Sequence, residues 1–356
     1  MRFGVIGAGG FAEVCHVPGL QSHPEAEVVA LCGRRYEHAR QMADRLGVPD
    51  VHTDYRELLA RDDIDAVTIT TPNAVHAEQA KAAFAAGKHV FCEKPLGITA
   101  TEVRGMVDAA RASGRVHMAA FTFRYTYGVR ELRRRVRAGD IGRPHYLRLA
   151  FSGYGGLRPD WKIGWRESQA LGGGGLLYDM GSHLFDLARI CLGPIDEACG
   201  VLLNLPRQRP DAATGQPRDV ETDDLCRALF RHADGTPGEW LMSRVTPSHA
   251  DNAYLEIAGD EGALQCALSR GNTERLRGCT PATPAWEEIA LPPAAHDGEA
   301  HALGIMMRAF VDAARRGSLD GDLDAPFEDG LAAQEAMRAV VESVGQRRWV
   351  RLADTT

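Results

Sequence analysis

Up to about residue 120 the chain alternates short apolar runs with longer amphipathic ones. The runs at 3–6, 27–32, 66–70, 89–92 and 116–120 read as strands. The segments at 36–46, 75–86 and 99–113 carry apolar residues at helical spacing. Strands alternating with helices of ten to fifteen residues predict βαβ units and a parallel sheet. Gly47, Gly87 and Gly114 fall where helix C-caps belong, so the helix ends are punctuated as expected.

The pattern changes after Thr122. The apolar runs at 146–151, 224–230, 241–245, 254–258 and 264–268 follow one another with little helix between, which predicts a largely antiparallel sheet in a second, α+β domain. The Pro- and Gly-containing stretch 205–218 reads as a long surface loop. Helical periodicity returns at 300–315 and 327–344, before a short strand at 349–352. Two domains result, 1–122 and 123–356, with the C-terminal helix free to pack back on the first. A chain of 356 residues suits two cores better than one.

Composition narrows the function. Hydrophobic residues make up 44% and charged residues 25%, an ordinary globular balance. A net charge of −7 gives no basic face for nucleic acid, and Arg133-Arg134-Arg135 reads as one solvated helix turn. No apolar stretch approaches the roughly 18 residues of a membrane span, and the N-terminus opens directly into a strand. Eight cysteines without a Cys-x-x-Cys pair argue against a zinc site or redox dithiol and for buried thiols in a cytoplasmic chain. Only Lys81, Lys88, Lys94 and Lys162 stand against 37 arginines. Lysine can surrender its proton and arginine cannot, so each retained lysine calls for a reason.

Gly7-Ala-Gly9-Gly10-Phe11-Ala12 follows the first strand and opens the first helix. In that context it is the dinucleotide fingerprint: Gly7 for the tight turn, Gly9 for close approach of a pyrophosphate, Ala12 for helix–strand packing. The first domain is therefore expected to be a Rossmann domain. The second strand ends at Gly33-Arg34-Arg35, where an acidic residue usually holds the ribose; Arg34 suits a 2′-phosphate, which tilts toward NADP(H), or the adenine face with either cofactor, so NAD(H) and NADP(H) both stay open. Thr71-Pro-Asn73, with His76 on the next helix, ends the third predicted strand at the crevice end of the sheet. Glu93-Lys94-Pro95 ends the fourth.

The second domain contributes Gly172-Gly-Gly-Gly175, then Asp179-x-Gly181-x-His183 and Asp186. A run of four glycines means that backbone comes close to something or bends sharply. Asp179 and His183, four apart, lie on one helical face, where a carboxylate and an imidazole could hold a hydroxyl and remove its proton. With the dinucleotide site, this points to alcohol oxidation or ketone reduction. No lysine has a tyrosine four residues before it, and the cysteines are not clustered, which sets aside the short-chain and zinc alcohol dehydrogenases.

Together with Trp165-Arg166 and Asp329-Gly330-Leu331, these motifs make the chain similar to the Gfo/Idh/MocA family of glucose–fructose oxidoreductase, inositol dehydrogenase and rhizopine-catabolism proteins. The resemblance covers essentially the whole chain. It implies a Rossmann domain followed by an α+β domain with a large open sheet that often forms an oligomer interface, giving a homodimer or homotetramer. It implies that Lys94, Asp179 and His183 are catalytic. Gly7, Gly9, Gly10, Phe11, Ala12, Arg34, Arg35, Thr71, Asn73, His76, Glu93, Lys94, Trp165 and Arg166 would border the cofactor. Arg124, Tyr125, Tyr154, Trp161 and Lys162 would join Asp179 and His183 in lining the substrate cleft, with Phe123 and His249 nearby. The expected substrate is a sugar, aminosugar or cyclic polyol. Sugar dehydrogenases of aminoglycoside biosynthesis look similar, and a catabolic inositol or sugar dehydrogenase fits equally. A dinucleotide sensor without catalysis is disfavoured by retention of Lys94, Asp179 and His183.

Overall fold

The computed structural model describes residues 1–205, 207–247, 253–268, 274–292, 302–319 and 322–352. They form two compact units, Met1–Thr122 with Ala302–Leu331, and Phe123–His301 with Ala332–Thr356.

In the first unit the strands are β1 (Arg2–Ile6), β2 (Glu27–Cys32), β3 (Asp50–His52), β4 (Ala66–Ile69), β5 (His89–Cys92) and β6 (His117–Ala119). Among the described residues they make a six-stranded sheet in the order β3-β2-β1-β4-β5-β6, its neighbouring strands all parallel. The helices are α1 (Val17–Gln21), α2 (Tyr36–Leu46), α3 (Tyr55–Leu59), α4 (Asn73–Ala85) and α5 (Ala100–Ser113). Phe3, Val5, Val67, Val90 and Phe91 are wholly buried, as strands covered on both faces require. Gly47 and Gly114 cap α2 and α5 in the left-handed region, at φ 67° and 64°. Lys88 ends the helix–strand turn with its amine on the Arg61 and Ile64 carbonyls at 2.7 and 2.8 Å, a structural reason for one of the four lysines.

The segment 302–331, assigned above to the second domain, groups with the first. Its helix α9 (Ala302–Arg316) drives Phe310 against Phe3 and Phe91, ring centroids 6.1 and 5.3 Å apart. Phe327, opening the last helix α10 (Phe327–Gln346), packs on Phe84 and His117. The unit boundary falls inside that helix, after Leu331.

The second unit carries α6 (Tyr127–Ala138), α7 (Gln169–Gly172) and α8 (Ser182–Leu192), with strands β7 (Pro144–Ser152), β8 (Ile195–Leu203), β9 (Gln208–Pro210), β10 (Pro217–Asp219), β11 (Leu225–His232), β12 (Pro237–Ser243), β13 (Ala253–Gly259), β14 (Ala263–Ala267), β15 (Leu276–Cys279), β16 (Glu287–Ile289) and β17 (Val350–Arg351). Among the described residues nine of these strands form one sheet, ordered β16-β15-β14-β13-β7-β12-β11-β8-β17. It is antiparallel except for the central β7–β12 pair. The strand expected at 241–245 lies earlier, at Pro237–Ser243, because its partner register with β11 runs from Pro237 to Ser243. The expected loop 205–218 is instead built around a hairpin, β9 paired with β10.

Alternation is clean along β11: Cys226, Ala228 and Phe230 are buried, while Leu225, Arg227 and Leu229 face the other way. That outward face also presents Val201, Leu203 and Leu241, which register opposite Arg227 and Leu225. Val201 is 62% exposed and Leu203, Leu229 and Leu241 are between 37% and 42% exposed. No helix among the described residues is long and apolar enough to cross a membrane.

A buried carboxylate anchors the chain ahead of β11. Asp224 accepts two short hydrogen bonds from the Arg207 guanidinium and one of 2.8 Å from Arg244 Nε. Both arginines also stack on Trp161, at 5.2 and 4.6 Å from the ring centre. Asp224→Ala leaves these guanidiniums facing each other without their shared anion. A loss of about 3–5 kcal/mol is expected in urea unfolding, and an unchanged midpoint would refute the account.

Candidate functional site

In the first unit, the glycine loop lies between the end of β1 and a π-helical turn, Ala12–His16, that runs into α1. Gly7 takes φ +116°, and a Cβ there would sit 2.8 Å from the Thr70 carbonyl carbon and oxygen. The fold itself therefore demands glycine at 7. Gly9 and Gly10 differ: they are exposed, and nothing lies within 4 Å of where their Cβ atoms would be. What they leave is bare backbone at the start of a helix, where free N–H groups suit a pyrophosphate. The donors present thus fit a dinucleotide. Phe11 is half-buried and Ala12 is packed inside.

Gly33 has a packing cause of its own. A Cβ at 33 would meet the Ala8 and Ala39 methyls at 2.7 and 3.0 Å. No carboxylate can stand there without moving the glycine loop. Arg34 and Arg35 follow on the surface, with Arg35 extended ahead of α2.

Thr71 sits between β4 and α4 and Asn73 opens α4, but neither caps the helix; Pro72 takes that place without a side-chain bond. The Thr71 hydroxyl donates instead to Gln79 at 2.6 Å. His76 was expected beside the cofactor and is wholly buried: its Nε2 lies 2.7 Å from the Thr71 carbonyl and its Nδ1 3.0 Å from that of Pro95. The ring is spent on backbone. Burial holds its pKa below the ordinary histidine value, against the pull of both carbonyls and of the Glu93 carboxylate.

Glu93 likewise turns inward, with Oε1 3.0 Å from Nε2 of buried His16. Burial works against its charge, but His16, Lys94 and His76 more than offset that and hold its pKa below the ordinary glutamate value. Lys94 is half-buried between Glu93 and a Pro95 joined to it by a cis peptide. Leu96 next presses on α10, where a Cβ at Gly330 would fall 2.3 Å from its side chain. The Asp-Gly-Leu motif thus keeps room for the lysine loop.

In the second unit, three glycines of the run are short of room and the fourth, Gly173, takes a left-handed backbone. A Cβ at Gly172 would meet the Arg166 carbonyl at 2.8 Å, at Gly174 the Tyr178 ring at 2.4 Å, and at Gly175 the Asp223 carbonyl at 2.4 Å; Gly173 takes φ +83°. Asp223 then accepts from the amides of Gly175 and Leu177 at 2.8 and 2.9 Å. These contacts launch the helix that bears Asp179 and His183. Its first turn, Leu177–Gly181, is π-helical and passes into α8 at Ser182, a wider turn of the kind that recurs at functional sites. Asp179 is half-buried; His183 is 1% exposed, its ring edge-on to Phe123 at 5.0 Å.

Arg124 and Tyr125, expected to line the cleft, turn inward. They are 2% and 1% exposed, and Arg124 grips Asp186 through Nε at 2.8 Å and a second, shorter bond. A guanidinium this deep needs a fixed counter-charge, and Asp186, one turn beyond His183 on α8, supplies it. Tyr154 and Lys162 are exposed, and Trp161 is half-buried in its arginine stack. Trp165 and Arg166 open a short turn, Trp165–Glu167, with the guanidinium over the indole at 4.3 Å. His249 lies outside the described residues. A cavity of about 360 Å³ in this unit is lined by Cys199, Val201, Arg227, Leu229 and the Arg347–Trp349 turn, and by none of the expected site residues.

A family model described as an oxidoreductase family with an NAD-binding Rossmann fold matches residues 1–121, and the Gfo/Idh/MocA C-terminal domain matches 129–265. The chain belongs to the Gfo/Idh/MocA family. It is 32% identical to levoglucosan dehydrogenase of Pseudarthrobacter phenanthrenivorans over 342 residues, 88% of this chain and 86% of that one. It is 30% identical to dTDP-3,4-didehydro-2,6-dideoxy-α-D-glucose 3-reductase of Streptomyces antibioticus over 351 residues, 98% of each. A solved levoglucosan dehydrogenase in complex with NADH and L-sorbose superposes with a TM-score of 0.89 at 27% identity, covering 99% of this chain and 98% of that one.

As a Gfo/Idh/MocA oxidoreductase, the chain departs from the acidic residue common after β2 for a reason of packing. Gly33→Asp would restore that residue. It is expected to lower stability by roughly 1–3 kcal/mol through overpacking against Ala8 and Ala39. NAD binding should weaken rather than strengthen; tighter binding in a fluorescence titration, with thermal stability intact, would refute this.

Proposed function

We propose that the chain moves a hydride between a nicotinamide dinucleotide and a secondary alcohol or ketone of a sugar, aminosugar or cyclic polyol. The observation that carries this reading is the joint retention of the glycine loop with Lys94, Asp179 and His183 in one Gfo/Idh/MocA chain. Relatives matching most of its length act on levoglucosan and on a dTDP-linked deoxysugar, which supports a sugar and is compatible with secondary metabolism. When bound, the dinucleotide accepts or supplies the hydride. The cofactor is NAD(H), with the exposed Arg34 and Arg35 placed to tolerate NADP(H).

His183 takes the hydroxyl proton as the C–H bond breaks, and returns it in the reductive direction. Lys94 donates to the same oxygen and stabilises the charge that develops on it. Asp179 holds a neighbouring hydroxyl and favours the protonated imidazole. Tyr154, Trp161 and Lys162 offer a polar and aromatic lining for a sugar ring.

A reduced-cofactor absorbance screen of polyols, sugars and aminosugars with NAD and NADP tests the reaction. On the best substrate, Lys94→Ala and His183→Ala are each expected to lower kcat by about 10²-fold or more with dinucleotide affinity unchanged. Near-normal turnover in both would sink the assignment.

The chain is further read as a cytoplasmic homodimer or homotetramer. All eight cysteines are free thiols, in keeping with a reducing compartment. The outward face with Val201, Leu203, Leu229 and Leu241 is an apolar surface of the kind that oligomers cover. Light scattering should report a dimer or larger for the native chain and a monomer for Leu241→Glu; a native monomer would overturn the reading.

A further inference from the structure

Two loops that follow neighbouring strands of the first unit meet at one buried side chain. β4 and β5 pair directly, and their loops carry Thr71–Asn73 and Glu93–Pro95. His76 projects from the first turns of α4 to both, Nε2 toward the Thr71 carbonyl and Nδ1 toward the Pro95 carbonyl, at 2.7 and 3.0 Å. The Thr71 end is held a second time by its hydroxyl on Gln79. The backbone around Lys94 is therefore held on both sides: His16 fixes Glu93 before it, and His76 fixes Pro95 after it.

The His76 ring is completely buried, and both its nitrogens face backbone carbonyls. We propose that His76 is a positioning residue for Lys94, setting where the lysine amine stands by donating from Nδ1 to the Pro95 carbonyl. This rests on the reading of Lys94 as the residue that donates to the reacting oxygen. The chemistry of amides makes the idea separable from a general packing role. The Asn amide nitrogen falls near the Nδ1 position of a histidine and can still reach Pro95. The Gln amide nitrogen falls near Nε2 and can reach only Thr71. Carbonyl oxygens accept and never donate, so an amide N–H must supply whichever bond survives.

The test uses the full chain with His76→Asn and His76→Gln. Competitive acetylation followed by mass spectrometry reads Lys94 against exposed Lys81 in the same molecule, with no substrate needed. The Gln variant is expected to shift the labelling of Lys94 relative to Lys81, and the Asn variant to keep the wild-type ratio. With the sugar found by the screen, His76→Gln should lower kcat on the order of tenfold or more, leaving the KM for NAD unchanged, and His76→Asn should restore most of it. Unchanged Lys94 labelling in the Gln variant, or an Asn variant no better than Gln in kcat, would overturn the proposal. If the Gln variant does not fold, the Asn variant decides alone: an altered Lys94 ratio rejects the proposal and the wild-type ratio sustains it. Normal turnover by Lys94→Ala would instead reject the catalytic reading of the lysine, while the labelling ratio still decides whether His76 positions it.

Discussion

Glu93 keeps a negative charge where water scarcely reaches, and much of the first unit is arranged to allow it. An unpaired carboxylate in that place would take up a proton or cost several kcal/mol. His16 prevents this at 3.0 Å, with Lys94 and His76 adding to the same effect. His16 itself ends the π-helical turn that follows the glycine loop. The pairing therefore ties the start of the dinucleotide-binding helix to the end of β5, and the loop bearing Lys94 inherits its position from both.

The second unit handles three aspartates in three ways. Asp223 and Asp224 are consecutive but meet different partners. Asp224 meets two guanidiniums, and its pKa falls below the ordinary value although burial opposes this. Asp223 accepts from amides of the glycine-run segment, and burial prevails over them and over the Arg244 charge, raising its pKa. Asp186, on the same helix as His183, closes on Arg124. Each carboxylate holds one of the segments that carry the expected substrate residues.

The parallel sheet was legible because its strands, buried on both faces, are continuous apolar runs, and because glycines mark the helix ends. β3 escaped: three residues at the sheet edge, half exposed, leave no apolar run. β8 escaped because Ile195-Asp-Glu opens it with charge, and the β9–β10 hairpin because its strands are three residues each and contain proline. The motifs marked the expected site segments in sequence, but not which of their side chains turn inward. Nothing local to Phe123-Arg124-Tyr125 announces a carboxylate 62 residues further on, and nothing local to His76 announces the Pro95 carbonyl. The π-helical turns were also invisible, since both begin in sequence that reads equally well as ordinary helix.

The buried thiols have a consequence of another kind. Alkylating reagents attack thiolates, and burial pushes Cys32 and Cys191 up to about 12 while raising Cys92 and Cys226 well above the ordinary value. Folded, these sulfurs are almost inert. Cys15, Cys32 and Cys92 belong to the first unit, and Cys191, Cys226 and Cys266 to the second. The chain thus carries two separate sets of intrinsic clocks, each silent until its own unit opens, so that the order in which the units breathe is written in the order in which their sulfurs become reactive.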